Sequence, residues 1–365
     1  MLYRQTALAD NCALLPDSFR RGAPAMTHIE LEISNPCNER CVHCYRVCAG
    51  TRRGFLSESQ ARSVLEQAKE LGAESVIITG GEALLNPEWR GILRAADETE
   101  LRTSLFTNGS LMKKEDADFI AGIKHLKEVQ LSLYALDETA HDAITGLQGS
   151  CAKTKDAISL LCARGVPIFV SCPVMKENKT AALDVMRWCD DNGIPSCACI
   201  FIFGDSDYTG RNLAHRLSFG ELEDFFKETM KDEGRLAYVW GKSKGERDLA
   251  KIDFYGGAAQ SLCVSGDDAI YPAIGWYEPL GTIETDTLRA VYEESPLLRR
   301  LRTIRAADIA ECARCACADF CDFCFSPHIT ANRGELGKVD AEFCKFVALR
   351  KAFAQRRDVI MESKH

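Results

Sequence analysis

The sequence predicts an α/β fold, an open and partial (β/α)6 barrel followed by a small cysteine-rich domain near the C-terminus. Three observations predict it. From about Thr27 onward, strand-like and helix-like segments alternate, the pattern of parallel strands joined by helical crossovers. Six such strands can be counted, fewer than the eight that close a barrel. Finally, half of the eighteen cysteines fall in two dense groups, one early and one late.

The elements follow in order. Thr27–Ser34 alternates polar and apolar residues, as a strand does. Ser57 and Gln60 form a capping-box pattern; Ala61, Val64, Leu65, Ala68 and Leu71 then recur at helical spacing, and Gly72 supplies the stop. Ser75–Thr79 reads as a buried strand, Glu88–Asp97 as a helix and Arg102–Thr107 as the third strand. Helix Lys113–Ala121 precedes strand Glu128–Tyr134, helix Thr154–Ala163 precedes strand Ile168–Val174, and helix Thr180–Asn192 precedes strand Cys197–Phe203. The alternation breaks at the polar loop Gly204–Arg211, after which Ser218–Lys231 reads as a helix. Lys345–His365 reads as a charged terminal helix. The expected division is an extension over 1–26, the barrel over 27–215, a bridging helical segment over 216–260, the cysteine-rich domain over 261–348 and a tail over 349–365.

Composition narrows the function. With 46% apolar and 27% charged residues the chain is of ordinary globular type. A net charge of −8 gives no basic patch to suggest a nucleic-acid partner. Apolar runs such as Val76–Ile78 and Ile200–Phe203 are far too short to span a membrane, and Met1–Asp10 lacks an export signal, so cytoplasm is expected. In a reducing cytosol, clustered thiols are more often metal ligands than disulfides. The scattered Cys151, Cys162, Cys172, Cys189, Cys197 and Cys199 sit in apolar segments and read as small buried hydrophobes.

The decisive string is Cys37-Asn38-Glu39-Arg40-Cys41-Val42-His43-Cys44. Three thiolates on one loop can each hold one iron of a cubane cluster and leave the fourth iron open for a substrate. The loop follows the first strand, at the carboxyl end of the sheet where sites of such folds gather. The alternative is a structural zinc site with Cys48 or His43 as fourth ligand. Near the end, Cys312, Cys315, Cys317, Cys321 and Cys324 form the second group, with Cys263 before and Cys344 after. Taken alone, Cys312, Cys315, Cys321 and Cys324 also match a zinc ribbon.

These motifs resemble, in order, those of the radical S-adenosylmethionine family. The C-x3-C-x2-C string is joined by Gly80-Gly81-Glu82 after the second strand and Thr107-Asn108-Gly109 after the third. Ser132-Leu133-Tyr134, His141-Asp142, Thr145-Gly146 and Gly149-Ser150 follow, a series similar to the peptide-modifying branch. Ala83 stands where the family usually has proline. The resemblance implies a [4Fe-4S] cluster on Cys37, Cys41 and Cys44 with one open iron, chelated by the amine and carboxylate of S-adenosylmethionine. Gly80, Gly81 and Glu82 would accept from the amine, Ser132 would donate to ribose or carboxylate, His43 would pack on adenine, and Asn108 belongs to the same cofactor site. Reductive cleavage would then give a 5′-deoxyadenosyl radical that abstracts a substrate hydrogen, with the electron drawn from a flavodoxin- or ferredoxin-type donor.

The second cysteine group resembles the SPASM extension of that family, a small C-terminal iron–sulfur domain holding one or two auxiliary clusters. The resemblance assigns Cys312, Cys315, Cys321 and Cys344 to one cubane, and Cys263 and Cys324 to another. It is broken by Tyr271-Pro272-Ala273, where Ala273 replaces an expected ligand, so that the extra Cys317 takes its place, that cluster keeps an open iron, or that cluster is absent, and by the short Asp322-Phe323 spacer. The implied function is modification of a ribosomally made precursor peptide by a thioether or carbon cross-link. About 26 residues precede the first strand, too few for a leader-binding domain, so recognition would fall to the core, the extension or a separate partner. Two rivals stand beside it. One is radical dehydrogenation, epimerisation or decarboxylation of a small molecule such as a sugar or tetrapyrrole; the other is a zinc-stabilised binding protein without enzymatic activity.

Overall fold

The computed structural model describes residues 23–46, 54–231, 236 and 243–362. Cys48 lies outside them, as does most of the expected extension over 1–26. Strands β1 (His28–Ser34), β2 (Ser75–Gly80), β3 (Arg102–Thr107), β4 (Leu126–Ser132), β5 (Ile168–Pro173) and β6 (Ser196–Cys199) pair in parallel, each with the next. Helices α1 (Glu58–Glu70), α2 (Trp89–Glu98), α3 (Lys114–Ile120), α4 (Glu138–Thr145), α5 (Ser150–Cys162) and α6 (Ala181–Asp191) fill the crossovers, giving the six parallel strands of the partial barrel. The nine-stranded sheet runs β6-β5-β4-β3-β2-β1 and continues past β1 with β7 (Ser261–Ser265), β8 (Ala269–Tyr271) and β9 (Gly281–Thr282).

Local chemistry fixes these elements. The Ser57 hydroxyl accepts from the Gln60 N–H at 3.2 Å while the Gln60 side chain accepts from the Ser57 N–H at 3.0 Å, completing the capping box. Ala61, Val64, Leu65 and Ala68 bury one face of α1 against the sheet, about 1.5–3 kcal/mol for each of the larger two. Gly72 follows at φ +99°, open to glycine and strained for most other residues. Ile29, Leu31, Ile33, Val129, Leu131, Val170 and Cys172 point from the strands into this helix-facing core. The alternate residues, among them Glu30, Glu32, Ser104, Ser132 and Ser171, lie on the inner face, so the barrel interior is polar.

Three departures from expectation have physical causes. α4 is an additional helix, capped by Asp137, whose side chain accepts from the Ala140 N–H at 2.9 Å. β6 ends at Cys199 rather than Phe203, because Phe201 leaves the sheet to pack on Phe343 and Phe346 at 5.2 and 5.3 Å. After α7 (Phe219–Met230) and the short α8 (Gly256–Ala259), β7 (Ser261–Ser265) pairs in parallel with β1. The antiparallel β8 (Ala269–Tyr271) and β9 (Gly281–Thr282) then extend the same sheet. Helices α9 (Leu288–Glu294), α10 (Pro296–Leu301), α11 (Phe325–Ala331) and α12 (Ala341–Glu362) complete the cysteine-rich region.

Candidate cluster and cofactor site

The loop from Cys37 to Cys44 leaves the carboxyl end of β1 and is pinned by α4. The N–H groups of Arg40 and Val42 donate to the carbonyls of Thr145 and Ile144 at 2.7 and 3.0 Å. These are last-turn carbonyls, which lack partners inside their own helix. The Glu39 N–H donates to the Cys37 sulfur at 3.4 Å, and the Cys41 thiol to Glu39 Oε2 at 3.3 Å. Cys37, Cys41 and Cys44 come together with Glu39, Arg40, Arg46 and Gly81 around one cavity of about 210 Å³. Behind it, Tyr134, Ile144, Met175 and Ile202 pack against Cys41 and Val42 and exclude water from that side.

Electrostatics in this pocket follow from burial. It pushes the Cys37 thiol up to about 12 and the Cys41 thiol well above its ordinary value, so a cluster must displace protons to bind. Burial likewise raises the Glu39 carboxyl to about 7, and lowers His43 to about 4. Glu39 Oε1 and His43 Nδ1 are buried without a protein partner. A donor set of three free thiols on one wall, beside unsatisfied polar atoms and a glycine, fits an iron–sulfur group with a polar ligand.

The glycine pair has a definite task. The Gly81 N–H donates to the Ser34 carbonyl at 2.6 Å and the Glu82 N–H to Pro36 at 2.9 Å, so this segment is laced to the chain entering Cys37. A Cβ on Gly80 would stand 2.3 Å from the Ser34 oxygen, and one on Gly81 2.3 Å from the Pro36 oxygen. Glu82 is buried: Oε1 accepts from Thr107 Oγ1 at 2.6 Å and the Leu84 N–H at 2.9 Å, and Oε2 from the Asn108 N–H at 2.8 Å. Asn108 Nδ2 donates to Asn38 Oδ1 at 3.0 Å, within the cysteine loop. His43 packs edge-on to Tyr134 at 5.0 Å, and its carbonyl accepts from Asn212 Nδ2 at 3.2 Å. Ser132 ends β4 on the inner face. Gly81 shares the cavity wall with the thiols; Gly80, Glu82, Asn108, Ser132 and His43 do not line it.

Sequence reasoning missed Glu39 as a pocket residue, and also an inner-face cluster around Arg46. Arg46 pairs with Glu32 at 2.6 Å and donates to Asn35 Oδ1 at 3.1 Å, while Tyr277 Oη donates to Glu32 Oε1 at 2.7 Å. The alternation of β1 signalled that Glu30 and Glu32 share a face, but nothing local announced Tyr277, which lies 245 residues from Glu32.

In the C-terminal region, Cys312, Cys315, Cys321 and Cys344 are brought together. Burial, then the neighbouring Cys344, Cys321 and Cys315, pushes the Cys312 thiol up to about 12; burial with Cys321 and Cys315 raises Cys344 to about 11. Cys317 lies beside Cys315, whose sulfur accepts its N–H at 3.4 Å. Cys324 is the N-cap of α11 and has Asp322 and Ser326 as its polar neighbours. Cys263 is buried in β7 next to Glu30, with Glu32, Arg46 and Asp267 as further charged neighbours. Ala273 is buried and bridges to Trp276. Among the described residues, no three Cys, His, Asp or Glu side chains converge on a point that would hold a single metal ion.

An α/β partial barrel that gathers three thiols and a glycine turn at its strand ends defines a class, and the comparisons agree with it. Residues 31–189 match the model of the Radical SAM superfamily, and the chain carries a radical SAM domain. That superfamily uses a [4Fe-4S] cluster and S-adenosylmethionine. The chain is 27% identical over 205 residues to the antilisterial bacteriocin subtilosin biosynthesis protein AlbA of Bacillus subtilis, covering 56% of this chain and 45% of that one. It is 27% identical over 183 residues to the AdoMet-dependent heme synthase of Oleidesulfovibrio alaskensis, covering 49% and 46%. The chain thus spans about half the length of these curated relatives. Its fold is that of Streptococcus suis SuiB bound to the precursor peptide SuiA, with a TM-score of 0.69 and 18% identity over 87% of this chain and 76% of that one. It is equally that of anSMEcpe with bound AdoMet, with a TM-score of 0.68 and 17% identity over 93% and 99%. No helix among the described residues is long and apolar enough to cross a membrane.

Proposed function

We propose that the protein is a radical SAM enzyme that modifies a ribosomally made peptide. The observation that carries the reading is the convergence of Cys37, Cys41 and Cys44 on one cavity with Gly81. When bound there, the cluster supplies the low-potential electron that cleaves S-adenosylmethionine to a 5′-deoxyadenosyl radical. The protein's own contribution is positional. α4 holds the loop, the glycine pair lets the end of β2 approach the chain entering Cys37, and Tyr134, Ile144, Met175 and Ile202 keep water away. Glu39, with one carboxyl oxygen unpartnered, supplies an acceptor for a cofactor or substrate N–H.

The peptide substrate is supported by the likeness to AlbA, a bacteriocin biosynthesis protein, and by the fold shared with SuiB, which binds a precursor peptide. Cys312, Cys315, Cys321 and Cys344 would hold one auxiliary cluster, which would supply electron exchange with a substrate radical. The electron donor would be a flavodoxin or ferredoxin, and the free thiols suit a cytoplasmic setting. A second reading, decarboxylation of a tetrapyrrole, draws on the likeness to the heme synthase. Anaerobic assay of the iron- and sulfide-loaded protein with short candidate peptides and with a porphyrin, read by product mass, decides between them. A mass change in a peptide supports the first reading; a change only in the porphyrin replaces it with the second.

A further inference from the structure

Ser132, Ser171 and Cys197 lie side by side on β4, β5 and β6. In-register neighbours share a face of the sheet, and Val170 and Cys172 occupy the helix-facing core on the other face. Cys197 therefore faces the barrel interior, and so does Cys199, two residues on. Their sulfurs are 3.6 Å apart. Ser171 Oγ stands 3.5 Å from the Cys199 sulfur and 3.9 Å from that of Cys197. Burial as inert small hydrophobes, expected for all the scattered cysteines, describes Cys172 and Cys189 at 0% exposure. It does not describe this pair, for Cys197 is half-buried and Cys199 exposed.

We infer that Cys197 and Cys199 form a redox-active dithiol at the open edge of the barrel, which reacts with disulfide-bearing ligands by thiol–disulfide exchange. Closing the gap to a bond of about 2.05 Å needs only a small movement of two side chains already turned toward each other. β6 is four residues long and has a strand partner on one side only, so its backbone can give. Alternate residues of a strand stand about 6.6 Å apart, near the upper limit for a disulfide, so the bridge is labile rather than structural. Cys199 is the more exposed of the two sulfurs and has both Cys197 and Ser171 within hydrogen-bonding reach, so it is the attacking sulfur.

The Cys199 thiolate attacks one ligand sulfur, the ligand's S–S bond breaks, and the departing thiolate takes a proton from water. Cys197 then gives up its proton, attacks the Cys199 sulfur and displaces the ligand sulfur bonded there, which takes up that proton. Two electrons pass from protein to ligand, leaving a Cys197–Cys199 disulfide and two released thiols.

The test uses the iron–sulfur-loaded protein, anaerobic, with oxidised glutathione as probe, followed by alkylation, digestion and mass spectrometry. Cys162, exposed on α5 with burial as the cause of its raised thiol pKa, is the internal standard. The expected result is a Cys197–Cys199 bridge that forms at least about tenfold faster than glutathione adds to Cys162. In C197S the mixed disulfide on Cys199 should persist, and in C199S the remaining Cys197 should react no faster than Cys162. Modification of wild-type Cys199 no faster than Cys162, or a persistent mixed disulfide with no bridge, overturns the inference. Iron content and circular dichroism report folding of both variants. The readout is independent of S-adenosylmethionine cleavage, so this inference and the proposed function fail separately.

Discussion

Gly81→Ala adds one methyl group and should dismantle the entry to the cysteine loop. The new Cβ would sit 2.3 Å from the Pro36 oxygen and 2.7 Å from that of Asn35, both backbone atoms. Ordinary contact is about 3.5 Å, so the chain entering Cys37 must withdraw by about 1 Å. Overpacking of that kind costs about 1–3 kcal/mol. Withdrawal also weakens the Gly81-to-Ser34 and Glu82-to-Pro36 hydrogen bonds, each worth about 1 kcal/mol. The expected loss is about 3–5 kcal/mol, felt most at the loop itself. Gly220→Ala is the matched control: nothing lies within 4 Å of its Cβ near the start of α7, so the same substitution should gain about 0.5–1 kcal/mol. Urea midpoints of the two variants, with iron retained after desalting, give the comparison. A G81A protein as stable and as iron-rich as G220A would refute the close-approach argument.

Further expectations follow from other parts of the fold. Alanine at Cys37, Cys41 or Cys44 should abolish 5′-deoxyadenosine formation, whereas alanine at Cys312 or Cys321 should spare part of it while blocking product; normal turnover by the latter pair would remove the auxiliary cluster from the account. Asn86→Ala should cost about 2–4 kcal/mol by urea denaturation, because its buried amide donates to the Ile33 and Leu56 carbonyls at 2.7 Å each and accepts from the Glu88 N–H at 2.8 Å. Burial holds His328 down to about 4, with Nδ1 accepting the Asp340 N–H at 2.9 Å. Below its ordinary value of about 6.5 the unfolded chain takes up a proton that the fold refuses, so stability falls with pH. From pH 7 to 5 the wild type should lose about 2 kcal/mol more than H328Q, and equal losses would exclude His328 as the cause.

The barrel was legible because its elements announce themselves locally. Ser57 and Gln60 cap α1, Arg102–Thr107 is the third strand residue for residue, and the periodicity of Ala61 to Ala68 chose the buried face. The cysteine loop was legible as a donor set for the same reason: its ligands lie within eight residues. Long-range pairing was not. β7 joins β1 across more than two hundred residues, which places Cys263 beside Glu30. α4 is a short helix next to a motif, and its role in gripping Arg40 and Val42 depends on carbonyls that no side chain reveals. Cys197 and Cys199 sat in an apolar run that suggested burial, and only the early end of β6 shows them facing inward at an edge.

The central claim is tested most directly by one assay: 5′-deoxyadenosine released from S-adenosylmethionine by the anaerobically reconstituted protein given a strong reductant. The wild type should release it and the C41A variant prepared alongside should release none. A protein fully loaded with iron and sulfide that leaves the sulfonium intact would contradict the claim.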